Sequence, residues 1–167
     1  ILVFGGSGFI GSRFIRRWNN HSSSAIINID KLTYASDQSN LNFLTKDKNY
    51  FFYNEDINNK NNIREIINKH KPNLFINFAA ETHVDNSIES SYEFIKTNVL
   101  GVQTLLDLFR EYHHLHSNEL NFKFIQISTD EVYGDLQDND DSFTENTKYS
   151  PNNRFSASKA AGDHLFF

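Results

Sequence analysis

The chain opens with 1-ILVFGGSGFIG-11, four apolar residues running into Gly5, Gly8 and Gly11 in a G-x-x-G-x-x-G spacing. An apolar run of this length fits a short buried strand, and Phe9, Ile10, Phe14, Ile15 and Trp18 recur at the interval of an amphipathic helix. Strand, glycine turn and helix follow one another directly. In such a turn Gly5 permits the tight bend and Gly8 lets the backbone approach a pyrophosphate. Gly11 lets the helix pack on the sheet while its first amides face the anion. The G-K-[ST] ending of a kinase-type phosphate loop is absent.

Outward from this turn the period keeps switching. AIINID at 25–30 and FFYNED at 51–56 read as strands, NIREIINKH at 62–70 as a helix ending near Lys71-Pro72, and LFINFAA at 74–80 as the best buried strand. Apolar residues between Tyr92 and His114 recur at helical spacing, and FKFIQIS at 122–128 is a fifth strand. NNHSSS at 19–24, LHSNEL at 115–120 and DLQDNDDS at 135–142 read as polar surface loops. Alternating β and α elements predict an α/β fold, a doubly wound parallel sheet of Rossmann-like type, in a single domain over residues 1–167.

Asp30 ends the second strand about 20 residues beyond the last glycine, where a carboxylate can accept both ribose hydroxyls of adenosine and repels a 2'-phosphate. That favours NAD over NADP, although Lys31 next door weakens the preference. The bland alternative is that Asp30 caps a turn and the glycines only bend the chain.

Bulk properties exclude other classes. A formal charge of −5 with scattered lysines gives no footprint for nucleic acid or an anionic membrane, and no apolar run approaches the roughly 18 residues of a membrane span. With no cysteine there is no disulfide framework or zinc ribbon; a reducing, cytoplasmic setting is compatible with this. Met is also absent and the last helical pattern is still running at Phe167, so both ends read as cut.

After the fifth strand comes 128-STDEVYG-134, at the carboxyl edge of the sheet where ligands of such folds bind. Adjacent Asp130 and Glu131 offer an acid and a base, and Ser128 and Thr129 offer hydroxyls to orient a substrate oxygen; the bland reading is a solvated turn.

GGSGFIG, DKLTYA at 30–35, EDI at 55–57, FAAETHVDNSI at 78–88, KTNVLGVQTLL at 96–106, STDEVYGD at 128–135, FTEN at 143–146 and FSASKAAGDHL at 155–165 together resemble the extended short-chain dehydrogenase/reductase family. More narrowly they resemble nucleotide-diphosphate-glucose 4,6-dehydratases of the dTDP-glucose or UDP-glucose type. The resemblance implies an internal redox elimination. Hydride leaves sugar C4 for NAD+, the new ketone acidifies C5–H, water departs from C6, and hydride returns to C6. It implies Glu131 as the C5 base, Asp130 as the acid for the leaving hydroxyl, and Thr129 as the hydrogen-bonder at O4, with Thr82 also reaching the substrate. Lys159 is implied to bind the nicotinamide ribose and to stabilise an ionised phenol.

Around the cofactor it implies roles for Gly5, Gly8, Phe9, Ile10, Gly11, Asp30, Lys31, Leu32, Thr33, Ala79, Ala80 and Thr97, with Asp56 and Ile57 flanking adenine. It implies no metal, a smaller carboxyl-terminal substrate domain absent from these residues, and a homodimer formed through residues near 93–113 and 155–167. Reactions of the same superfamily such as 4-epimerisation are the alternative, with Asp130 counting against them.

The family's Y-x-x-x-K stands here as Phe155-x-x-x-Lys159. A phenyl ring gives packing and no proton transfer, and loss of one general base costs about 10²- to 10⁴-fold, roughly 3–5 kcal/mol. An engineered change, a natural variant of low activity, a variant recruiting another base, and a non-catalytic NAD-binding module all stay open. Tyr133 and Tyr149 are the nearest phenols in sequence. His113, His114 and His116 read as a polar helix end rather than a metal cluster, and His83 as structural.

Overall fold

The computed structural model describes residues 1–82, 91–116, 121–138 and 140–166. The chain divides into two compact units, one of Ile1–Ala79 with Thr104–Ile127, the other of Ala80–Gln103 with Ser128–Phe167.

The first unit holds a parallel sheet of β1 (Leu2–Phe4), β2 (Ile26–Ile29), β3 (Tyr50–Tyr53), β4 (Leu74–Asn77) and β5 (Lys123–Gln126), in the order β3-β2-β1-β4-β5. Leu2 pairs with Ile27 on one side and Phe75 on the other, which makes β1 the strand at which the winding reverses. β1 and β2 are buried throughout, as a parallel sheet covered on both faces requires. At the edge, β5 alternates exposed and half-buried residues, with Lys123 and Ile125 on its exposed face.

Side chains pointing to opposite faces meet different helices. Leu2, Phe4, Ile27, Ile29 and Phe75 pack with Ile63, Ile66 and Ile67 of α2 (Lys60–His70) and with Leu105, Leu108 and Tyr112 of the later helix Val102–His116. Val3 and Ile26 pack with Ile15 of α1 (Phe9–His21) and with Leu41 and Leu44. Burying each such aliphatic side chain contributes about 1.5–3 kcal/mol. Leu41 and Leu44 lie in a 3-10 helix, Gln38–Leu44, that the polar stretch around it conceals; Asp37 caps it by accepting from Ser39 N at 2.8 Å.

Two element ends differ from the sequence expectation for local reasons, while the end of α2 agrees with it. α1 runs on through Asn19, Asn20 and His21, with the His21 ring bonded to the Arg17 carbonyl at 2.8 Å, so the loop begins only at Ser22. β4 stops at Asn77 because its own side chain accepts from Ala79 N at 3.0 Å and turns the chain, leaving Phe78, Ala79 and Ala80 outside the strand. α2 closes on Lys71 in the left-handed region, its N–H bonded to Ile67 O at 2.8 Å.

In the second unit α3 (Ser91–Ile95) leads into a π-helical turn, Lys96–Gly101, before α4 (Val102–His116) resumes α geometry. Thr129 opens a 3-10 turn over Asp130–Tyr133, and α5 spans Arg154–His164. A Cβ on Gly162 would lie 2.4 Å from Asn98 O, so glycine there lets α5 lie against the π turn.

Candidate active site

In the first unit, the glycine turn divides its glycines by task. Gly5 has φ +72°, and a Cβ there would lie 2.5 Å from Ala79 N; a Cβ on Gly11 would lie 2.3 Å from Gly5 O. Both are demanded by the chain's own backbone. Gly8 is different: with φ −70° and ψ 174°, a side chain there would meet only ordinary contacts, at 3.4 Å from Gly5 O and 3.8 Å from Ala35 O. Neither of these contacts requires glycine at this position. It is also the N-cap of α1 without a side-chain cap, and no acid sits in the first turn, which leaves the leading amides to an anion. Phe9 and Ile10 are strongly exposed on that first turn.

Asp30 is buried at 7 % exposure and holds the turn together: Ser7 N donates to its Oδ2 and Leu32 N to its Oδ1, each at 2.9 Å. The turn-capping role is thus present. Each carboxylate oxygen keeps a further lone-pair site, so ribose hydroxyls remain chemically admissible. Leu32 takes φ +55° to make its bond. Lys31 Nζ lies 3.8 Å from Asp56 Oδ2, so the cation beside Asp30 has a carboxylate of its own. Thr33 accepts through its carbonyl from Ser36 N at 3.0 Å, and Asp37 N donates to Ser7 O at 3.1 Å, folding this loop over the glycines. Ile57 is sunk in the core at 4 % exposure, its side chain packed among the sheet and helix residues. Buried Asn28 donates to Ser7 Oγ at 3.2 Å and to the Tyr50 hydroxyl at 2.9 Å, underpinning the turn from the sheet.

In the second unit, Asn98 is saturated: it accepts from Glu81 N and donates to Glu81 O and to Ser158 Oγ, all at 2.9 Å. This pins the half-buried Ala80 and exposed Thr82 on either side of Glu81 to the π turn. Thr97, on the same turn, is 3 % exposed and its Oγ1 has no hydrogen-bond partner among the described residues.

Thr129 caps its turn by accepting from Glu131 N at 3.3 Å and donates toward Asp130 Oδ1 at 3.4 Å. Asp130 is exposed, whereas Glu131 is half-buried and accepts from Asn153 Nδ2 at 3.1 Å. Two adjacent acids thus sit in unlike surroundings, one open to solvent and one partly covered and bonded by an amide. Ser128 donates its hydroxyl to Asp163 Oδ2, leaving its oxygen's lone pairs as acceptors.

Asp163 gathers this side of the unit. It is 8 % exposed and also accepts from the Tyr149 hydroxyl at 3.2 Å. Burial first, then the Asp163 charge, pushes the Tyr149 phenol up to about 12, far above any use as a base near neutrality. A folded value above the unfolded one means stability fully present below about pH 10 and lost as pH rises toward about 12. The urea midpoint between pH 9 and 11 is therefore expected to fall less for Tyr149→Phe than for the parent.

Phe155 and Lys159 stand one turn apart on α5 and both are buried, at 6 % and 5 % exposure. The Phe155 ring packs edge-on against Phe94, centroids 6.5 Å apart. Burial pushes the Lys159 ammonium down from its ordinary value, and the Asp163 charge opposes that.

With this geometry in hand, the model of the GDP-mannose 4,6 dehydratase family matches residues 2–167. The chain belongs to that family. It lies within the extended short-chain dehydrogenase/reductases. The dTDP-glucose 4,6-dehydratase of Haemophilus influenzae is 47% identical over 167 residues, 99% of this chain and 49% of that protein. The crystal structure of dTDP-glucose 4,6-dehydratase from Bacillus anthracis in complex with NAD superposes with a TM-score of 0.85 at 38% identity, covering 98% of this chain and 48% of that one. The Streptomyces venezuelae dTDP-glucose 4,6-dehydratase, solved with NAD and TYD, gives 0.86 at 34%, covering 98% and 49%. The chain thus spans about half the length of the curated relatives it matches.

Membership of this dehydratase family agrees with the motif reading. What no motif disclosed is the bonding of Asn98, Asn153, Tyr149 and Asp163: in sequence a polar residue near a helix cap or within a turn signals only local bonds, and these partners lie far along the chain. His113 and His116 pack their rings against Phe122, and His116 against Tyr112. No metal-holding group of three occurs among the described residues, and no helix there is long and apolar enough to cross a membrane. His83 lies outside the described residues.

Proposed function

We propose that this chain is the NAD-binding part of an enzyme that dehydrates a nucleotide-diphosphate-glucose, dTDP-glucose foremost, to the 4-keto-6-deoxy sugar, with its oxidation step impaired by Phe155. The observation that carries the reading is the Asp130–Glu131 pair, held in one short turn, with Asp130 exposed and met by the adjacent Thr129 hydroxyl while half-buried Glu131 is bonded by the Asn153 amide. The similarity to dTDP-glucose 4,6-dehydratases supports it.

The residues fit a dinucleotide, as the unforced glycine at position 8, the uncapped amides of α1 and the residual acceptor sites of Asp30 indicate. Gly5, Gly8 and Gly11 would cradle the pyrophosphate, and Asp30 the adenosine ribose. Lys31, Leu32, Thr33, Asp56 and Ile57 would border adenine, and Phe9, Ile10, Ala79, Ala80, Thr97 and Lys159 the remainder. Bound NAD+ would supply the hydride acceptor for sugar C4 and, once reduced, the donor to C6. Thr129 hydrogen-bonds O4, Glu131 removes the C5 proton made acidic by the C4 ketone, and Asp130 protonates the C6 hydroxyl as it leaves. Thr82 contacts the sugar, and Lys159 holds a ribose hydroxyl. The exposed apolar residues Tyr92, Ile95 and Leu100 support a homodimer through this helical stretch.

Gly8→Ala tests the cofactor part. The variant of the full-length protein is expected to melt near the parent, since its Cβ clashes with nothing, yet to bind NAD+ at least about 10-fold more weakly by calorimetry. Equal heats for both proteins would remove the dinucleotide from this turn. A second reading, a non-catalytic NAD-binding module, is favoured by the burial of Phe155 against Phe94, where its ring acts as packing.

A further inference from the structure

We propose that Asn153 is the positioning residue for Glu131, a single side chain that both caps the helix carrying Lys159 and holds the carboxylate that takes the sugar C5 proton; this rests on the dehydratase reading above. Asn153 is the N-cap of α5. Its Oδ1 accepts from Ser156 N at 2.8 Å, while Ser156 Oγ accepts from Asn153 N at 3.2 Å, a reciprocal capping box. The cap decides which way the amide faces. With Oδ1 turned to the helix, Nδ2 points outward and donates to Glu131 Oε2 at 3.1 Å and to Asn152 Oδ1 at 3.3 Å. Both donors and the acceptor of the amide are therefore used, which fixes its rotation.

Capping alone does not call for asparagine, because Ser, Thr and Asp cap equally well and none of them offers an amide N–H to a carboxylate. The bond crosses 22 residues of sequence and joins the helix cap to the turn that Thr129 opens. For Glu131 its consequence is geometric: one oxygen is held by a neutral donor, which aims the other at the proton to be removed.

The experiment isolates proton removal from redox chemistry. The full-length protein is given the dTDP-linked 4-keto-6-deoxy sugar in D2O, and loss of C5–H is followed by NMR. In this step the C5 proton forms an O–H bond with Glu131 and the C–H pair moves into the neighbouring ketone as an enolate. A deuteron from the exchanged carboxyl then returns to C5. No hydride moves, so Phe155 does not block the readout.

Asn153→Ser and Asn153→Asp are expected to keep the helix cap and the parent's melting temperature. Exchange at saturating sugar should fall about 10-fold for Ser, and further for Asp, whose charge faces Glu131, with the half-saturating concentration unchanged. Asn153→Ala loses cap and donor together, so its loss of exchange is expected to come with a lower melting temperature. Exchange at the parent's rate in the Ser and Asp variants overturns the proposal. So does a loss that tracks melting temperature as it does in the Ala variant. If the parent exchanges no faster than Glu131→Gln, the dehydratase reading fails, and the positioning role fails with it.

Discussion

Phe155→Tyr in the full-length protein is expected to raise formation of the 4-keto-6-deoxy sugar by about 10²- to 10⁴-fold, the contribution of one well-placed general base. A phenol titrates near 10 when free and needs a cation beside it to act near neutrality. At position 155 it would stand one helical turn before Lys159, an ammonium buried at 5 % exposure whose field is little screened by water. Burial pushes that ammonium toward its neutral form and Asp163 opposes this, so the charge that would tune the phenol depends on the carboxylate one turn further along α5. Tyr149 cannot substitute, since the same Asp163 and its own burial push it up to about 12. Chromatographic detection of product from the parent and the variant checks the expectation. Continued silence of the tyrosine variant, with NAD+ still bound, would favour the non-catalytic module.

The second large effect falls on stability. Gly5→Ala is expected to cost about 2–6 kcal/mol, read as a shift of the urea midpoint. The left-handed conformation accounts for about 1–3 kcal/mol and overpacking for about 1–3 more. The new Cβ would lie 2.5 and 2.7 Å from Ala79 N and Cα and 2.9 Å from Phe78 C, all backbone atoms of the turn that follows β4 and cannot rotate aside. Against a typical total of about 5–15 kcal/mol this is enough to unfold much of the protein. Gly8→Ala is the internal contrast, since its Cβ meets nothing closer than 3.4 Å. Similar costs for the two variants would refute the division of labour between these glycines.

The period of apolar residues placed the five strands, the glycine helix and the long helix in order, since burial on both faces demands continuous apolar runs and burial on one face demands helical spacing. The same reasoning was blind to the 3-10 helix at Gln38–Leu44, where just Leu41 and Leu44 reach the core, and to the π turn at Lys96–Gly101, whose sequence reads as ordinary helix. Strand ends were overrun at Asn77, because a side chain taking Ala79 N looks in sequence like one more residue of the run.

Sequence by itself determined the α/β alternation, the glycine turn with its acidic partner, and the neighbouring acids of the turn, because each of these is a local pattern whose cause lies within a few residues. Tertiary structure decided the rest: that Asp30 is already bonded by two backbone amides, that Ser128 and Tyr149 converge on Asp163, and that Glu131 is held by Asn153. Apart from the Leu32 amide two residues beyond Asp30, these contacts join groups 14 to 35 residues apart, and they exist only once burial has brought the partners together.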